Sequence, residues 1–284
     1  MSRPMVNEIP RDLAAAVALG GQMGRRFAEF DWAAHPLGPV HTWSEEVRGV
    51  VAVALTSRFP IVLWLGAEHL WLVYNDAYIA ALGDKHPAAL GAAGQRVWWD
   101  IWDEIGPMLR GVLDTGEATW SDDLMLPLVT EGRRQERYFT FSYGPIMSVA
   151  ERPDGIFCAV TETTERVLAA RRLQWLNRAA AVMMDARTAD DAIAATIAAA
   201  DEGHPDIPFV GIYLSEGGGA MRLRASTANV AGALPATLDA LAPASGAALP
   251  VVDDLSRRIP ALVGRVAEPE QALILNLTDR KSVV

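Results

Sequence analysis

"FPIVLWLGAEHLWLVYNDAYIAALG", residues 59–83, holds two apolar runs, a turn between them and a helix start after them. Phe59–Leu65 is a short apolar run with a proline near its beginning, which reads as a strand. Gly66-Ala67-Glu68 is a turn, and His69–Tyr74 is a second strand, so the pair forms a hairpin. Asn75 or Asp76 suits the N-cap of the segment that follows, and Gly83 suits its stop.

Working outward, Trp43–Thr56 carries Val47, Val50, Val51, Ala54 and Leu55 on one helical side. Short helices are expected through "RVWWDIWDEIGPMLRGVLDTG". Three further strands are expected at 119–128, 136–146 and 155–162. In the middle one Tyr138, Thr140 and Ser142 alternate with Phe139, Phe141 and Tyr143, the period of a half-exposed strand. Strand, strand, helices and three strands give an α+β fold: a five-stranded antiparallel sheet with its helices on one side.

Composition bounds what such a chain does. It has 284 residues, 51% hydrophobic and 21% charged, with a formal net charge of -10. That acidity argues against nucleic acid and against an acidic membrane surface, since both need clustered Lys and Arg. No apolar run reaches the roughly 18 residues of a spanning helix. "LAAAVALGG" at 13–21 follows Glu8 and Asp12 and lacks the basic start of a signal peptide, so a cytoplasmic protein is expected. The single cysteine, Cys158, permits no internal disulfide and fits a reducing compartment.

Eight of the nine tryptophans precede residue 121, and the second half is rich in Ala, Gly and Pro. The shift marks two domains. The boundary is taut: "GIFCAVTETTERVLAARRLQWL", residues 155–176, passes from strand to helix with no Gly or Pro between. Thr163 or Thr164 can cap that helix, and Glu162 and Glu165 favour its positive end. Along it Ala169, Leu173, Leu176, Ala180 and Met183 recur at spacings of 4, 3, 4 and 3, a short heptad seam. The pattern leaves open whether one helix packs on its own domain or two pair in parallel.

"VYNDAY" at 73–78, within this strand order, resembles a PAS domain. So do "FDWAAHPLGPVHTW", "SRFPIVLW", "KHPAALG", "EATW", "YFTFSYGPI" and "GIFCAVTETTERV", in order over about residues 27–170. The resemblance implies that the last strand feeds an output helix through Glu162, Thr163, Thr164 and Glu165, with Glu162 where the family more often has Asp. "FVGIYLSEGGGAMRLRAS", "LPVVDDL" and "QALILNLTD" resemble the front of a GAF domain. The expected organisation is a helical lead-in (1–56), a PAS domain (57–164), a coupling or signalling helix (165–186) and a GAF-type α+β domain (187–284), incomplete at its C-terminus. The resemblance implies the sensory module of a bacterial signalling protein, with a sensor histidine kinase as output. The alternatives are a PP2C-type sporulation-regulator phosphatase and a ligand-free dimerisation module. A homodimer through the coupling helix is the expected partner.

No catalytic motif emerges: no phosphate-binding Gly-rich loop, no His-Glu-x-x-His, no Cys-x-x-Cys, no nucleophile paired with a base. No cofactor is identified. A flavin-adduct PAS needs a cysteine in the helices after the second strand, whereas Cys158 lies on the last strand. No histidine lies between His86 and His204 to ligate haem, and the second half has no cysteine for a bilin. Asp100, Asp103, Glu104, Asp122 and Asp123 match no metal loop and read as a solvated acidic face. His35, His41, His69 and His86 are scattered, so no metal site is expected. Trp98, Trp99 and Trp102 are expected on one short helix, where Trp98 and Trp102 share a face. Trp64, Tyr78, Trp98, Trp102, Trp120, Phe139 and Phe141 form either an aromatic core or the wall of a pocket for an uncharged or weakly polar ligand.

Overall fold

The computed structural model describes residues 9–130, 132–148, 152–184, 186–202, 207–215, 220–237, 251–253, 255–262 and 271–273. The chain divides into two compact units, 1–167 and 168–284. In the first, helices α1 (Arg11–Leu19), α2 (Gly21–Glu29) and α3 (Glu45–Thr56) lead into strands β1 (Ile61–Leu65) and β2 (Trp71–Tyr74). A 3-10 turn at Asp76–Tyr78 and the short helices α4 (Ile79–Leu82) and α5 (Gly94–Val97) follow. Helix α6 (Trp102–Thr115) then leads to β3 (Ser121–Thr130), β4 (Arg133–Met147) and β5 (Pro153–Glu162). The five strands form one antiparallel sheet in the order β2-β1-β5-β4-β3. This is the α+β layout that a PAS domain implies.

The "VYNDAY" stretch earns its place through two side chains. Asn75 is fully buried; its Oδ1 accepts from the Ile61 and Tyr78 N–H groups, each at 3.1 Å. Its Nδ2 donates to Ser57 O at 3.0 Å and Phe59 O at 2.7 Å. Both donors and both acceptor sites are used, so one amide ties the end of α3, both hairpin strands and the helical turn together. Asp76 reaches the lead-in instead, accepting from the backbone N–H groups of Gln22 (2.9 Å) and Met23 (2.7 Å) at the start of α2. A carboxylate there suits the positive end of that helix.

The helices do not all lie on one side of the sheet, which corrects the sequence expectation. All five residues of β1 are buried, although successive strand side chains point to opposite faces. Helix α6 packs on β4 and β5, and α3 packs on β1, β2, β4 and β5. Val47, Val51, Ala54 and Leu55 of α3 are buried within the same core as the sheet. The lead-in therefore belongs to the core: Phe27 and Trp32 are fully buried, and Trp32 Nε1 donates to Phe27 O at 2.8 Å. Each such side chain contributes on the order of 1.5–3 kcal/mol on burial.

The tract 76–83, expected as a helix, is a 3-10 turn plus four helical residues, closed by Gly83 at φ 55°. A left-handed residue ends it where Gly costs least.

Helix α7 spans Thr164–Met184. The second unit, described by itself, has α8 (Ala189–Asp201), the pair β6 (Gly211–Ser215) and β7 (Met221–Ser226), then β8 (Val251–Asp253), α9 (Leu255–Arg258) and β9 (Gln271–Leu273). Thr188 caps α8 with a reciprocal capping box to Asp191. Among the described residues β6–β7 and β8–β9 are separate two-stranded pairs, and Val230, Leu234, Ile259 and Leu262 form a small core.

Candidate functional site

A cavity of about 40 Å³ lies between the sheet and the helices α4–α6 of the first unit. Trp64, Tyr78, Trp98, Phe139 and Phe141, singled out from the sequence, all line it. Strand pairing explains the convergence: Tyr143 faces Cys158 and Phe141 faces Val160 across β4–β5, so these side chains share one face. Trp64 is packed hard: a Cβ on Gly94 would sit 2.6 Å from its Cζ3. Gly94 is thus the residue that lets the ring approach the backbone of α5.

Two expected wall residues do not line the cavity. Trp120 is 70% exposed. Ser121, not Trp120, pairs with Phe141, so the alternation puts the indole on the opposite face. Trp102 opens α6 while Trp98 closes α5, so the two do not share one helix and the same-face expectation lapses. Ile101 and Ile105 take that part of the wall. Tyr143 was legible, since it continues the Phe139–Phe141 alternation. Leu126, Leu128, Cys158 and Val160 depend on strand register, which the sequence did not supply.

The wall is apolar and carries no ionised side chain. Burial raises the Tyr78 and Tyr143 phenols well above their usual value, with Cys158 adding to it, and burial pushes the Cys158 thiol up. All three are protonated at neutral pH. The indole Nε1 atoms of Trp64 and Trp98 are buried and, among the described residues, have no hydrogen-bond partner. Next to the cavity, Asp100 is buried, not part of a solvated acidic face as the sequence suggested. Its oxygens lie 2.6 and 2.8 Å from Lys85 Nζ, and Oδ2 also accepts from Val129 N–H at 2.8 Å. Lys85 Nζ stands 4.3 Å from the centre of the Trp98 ring. One carboxylate thus fixes the cavity wall to β3, where it also occupies an edge N–H group. Among the described residues no cluster of three or more His, Cys, Asp or Glu is placed to hold a metal ion.

The second region of interest is the exit from the sheet. Strand β5 ends at Glu162 and α7 begins at Thr164, leaving Thr163 alone between them. Thr163 N–H donates to Tyr138 O at 2.8 Å, and Tyr138 N–H donates to Thr164 Oγ1 at 3.0 Å. Thr164 Oγ1 donates in turn to Glu162 Oε1 at 2.8 Å. Arg166 pairs with Asp123 at 2.5 Å, and Arg137 lies 3.5 Å from Glu162. The Thr163 hydroxyl, then Arg166, hold the Asp123 carboxyl below the usual carboxylate range. Asp123 sits at φ 48° within a register shift of β3, which turns it toward these partners. The exposed Glu165 stands in the first turn of α7. Farther along α7, Ala169 and Ala180 are exposed, as are Leu173 (59%) and Leu176 (56%); the Met183 side chain lies outside the described residues.

Solved PAS domains and light-oxygen-voltage proteins are similar to this chain. The PAS domain of Bordetella pertussis BvgS is 20% identical, covering 47% of this chain and 98% of its own length, with a TM-score of 0.37. A sensory box sensor histidine kinase from Vibrio cholerae is 12% identical over 37% of this chain and 77% of its own, with a TM-score of 0.28. The Rhodobacter sphaeroides LOV protein is 12% identical over 56% of this chain and 92% of its own, with a TM-score of 0.35. No protein-family model matches the chain, and no curated protein matches it. Among the described residues no helix is long and apolar enough to cross a membrane.

Proposed function

We propose that the first unit is the sensory module of a cytoplasmic bacterial signalling protein. A change at the cavity shifts β4 and β5 and passes into α7. The observation that carries this reading is the one-residue junction at Thr163, pinned to β4 by two hydrogen bonds and to β3 by the Arg166–Asp123 pair. A junction with no free dihedrals to spare cannot absorb a strand displacement, so the first turn of the helix must follow it. Trp64, Tyr78, Trp98, Phe139 and Phe141 form the receptor wall, and Glu162, Thr163, Thr164 and Glu165 form the transmitter. A cavity of about 40 Å³ supports a small ligand rather than a porphyrin or a tricyclic flavin ring, either of which needs a far larger space.

The exposed stripe Ala169, Leu173, Leu176 and Ala180 supports pairing of two α7 helices in a homodimer. A histidine kinase is the output we assign, on the sequence resemblance alone, with the sporulation-regulator type of phosphatase second. The GAF-type reading of residues 187–284 rests on the same ground.

The test perturbs the wall and watches the exit. In Phe141→Leu, amide chemical shifts of Thr163, Thr164, Glu165 and the first two turns of α7 are expected to move. Two glycines inserted between Thr163 and Thr164 are expected to abolish that response while the sheet signals still move. Unmoved α7 signals in the uninterrupted protein would end the proposal.

A further inference from the structure

Two phenols reach the cavity with their hydroxyls unused, and they narrow the class of ligand; the inference rests on the sensory reading above. The chain has five tyrosines. Three have hydroxyls with partners: Tyr74 bonds His86 Nδ1, Tyr138 bonds Glu136, and Tyr213 bonds Pro235 O. Tyr78 and Tyr143 line the cavity, and neither phenol makes a hydrogen bond among the described residues. The indole nitrogens of Trp64 and Trp98 are sealed from the space, whereas neither of these phenol oxygens is. A buried tyrosine hydroxyl ordinarily finds a partner, and one left without is costly. Both rings are braced. Tyr143 stands edge-on to Trp64 at 6.1 Å and lies 4.9 Å from Phe141, and Tyr78 stands edge-on to Trp98 at 6.4 Å. Burial, with Cys158 adding to it, raises both phenols, so each hydroxyl keeps its proton. No ionised side chain lines the space. About 40 Å³ is room for roughly three waters, at about 10–15 Å³ for each, so in a space this small both hydroxyls meet the same guest.

We propose that this cavity binds a compact, uncharged molecule with a short apolar frame and one acceptor oxygen, such as acetone, received by the hydroxyls of Tyr78 and Tyr143. The frame packs on the aliphatic and aromatic wall, from Ile101 and Ile105 to Leu126 and Phe139. A carboxylate or ammonium is rejected, because the wall holds no charge to replace its hydration. A guest without an oxygen fills the apolar part and leaves both hydroxyls unmet.

The experiment uses the full chain labelled with 13C at the tyrosine Cζ atoms and titrated with acetone, xenon and acetate. Signals are assigned from Tyr78→Phe and Tyr143→Phe. Acetone is expected to saturate and to move the Tyr78 and Tyr143 signals, while Tyr138 and Tyr213 stay in place and acetate moves none. Each Tyr→Phe variant is expected to bind acetone roughly 2- to 10-fold more weakly, the worth of one neutral hydrogen bond, and xenon no more weakly. The wild-type signals keep the test valid if a variant fails to fold. Acetone bound equally well by both variants overturns the inference, as does water on the phenols that acetone never displaces. Acetate bound as tightly as acetone overturns the ligand class. If acetone does not bind but Phe141→Leu still moves the Thr163–Glu165 amides, this inference falls and the sensory reading stands. If acetone binds as expected while those amides ignore both it and Phe141→Leu, the sensory reading falls and the site stands.

Discussion

The cavity and the β5–α7 junction lie in the same unit and solve opposite problems. The cavity is apolar, and no ionised side chain lines it. The junction is polar: the Thr163 N–H and Thr164 Oγ1 engage β4, Asp123 pairs with Arg166, and Glu162 engages Thr164 and Arg137, while the buried Thr163 hydroxyl lacks a hydrogen bond of ordinary geometry among the described residues. An apolar hollow favours a guest that removes apolar surface from water. An exit one residue long and bonded to two strands leaves little slack in which a displacement would be lost. A receptor and a transmitter therefore differ here in their material: an apolar wall in one, polar contacts between strand and helix in the other.

The contrast can be broken at either end, and the largest effect belongs to the cavity. Gly94→Ala places a methyl 2.6 Å from the Trp64 ring and 3.1 Å from Leu70 O. Urea unfolding is expected to show a loss of about 1–3 kcal/mol, the usual cost of overpacking, together with altered fluorescence. Unchanged stability would mean that the wall yields and that the cavity is softer than its packing indicates.

A smaller effect is expected at the junction. Thr164→Ala removes the acceptor of Tyr138 N–H and the donor to Glu162. The expected loss is about 1 kcal/mol in urea unfolding, with faster amide exchange at Tyr138. Thr164→Ser, which keeps the hydroxyl, should restore the slow exchange; failure to do so would assign the loss to the methyl group.

The smallest effect lies outside both regions and serves as their control. His35 Nδ1 accepts from Leu37 N–H at 3.2 Å, so Nε2 carries the proton and donates to Gly91 O at 2.9 Å. Burial lowers the pKa of His35, partly offset by that bond to Gly91. Burial and Arg26 lower that of His86, with Asp76 opposing. Both are neutral in the fold, and the unfolded chain takes up protons near pH 6.5. Stability is therefore flat above that value and falls as pH drops below it toward the folded-state pKa values. The urea midpoint should decline between pH 7 and 5.5, less so in His35→Gln, while the indole shifts of the cavity stay fixed. A midpoint that rises on acidification would contradict the neutral assignment.

Short-range pattern carried much of the first unit. Alternation of Tyr138–Tyr143 announced β4, the Phe59–Tyr74 hairpin appeared where its turn residues put it, and Asn75 and Gly83 bounded the short helical stretch after it by their own chemistry. The pattern failed where one residue of register decides. The Ser121–Phe141 pairing turned Trp120 outward, and the break at residues 98–101 separated Trp98 from Trp102. Asp100 was misread because its partners, Lys85 and Val129, are 15 and 29 residues away.

The sequence by itself determined the order of strands and helices, the absence of slack between residues 162 and 164, and the uncharged aromatic stock of the first unit. Periodicity and turn chemistry are local, and they act before any distant contact forms. Only the tertiary structure decided which aromatics meet, that a lead-in helix covers part of the sheet's second face, and that Asp100 is buried against Lys85 and β3. Those outcomes follow from strand register and from burial, which depend on residues far apart in the chain.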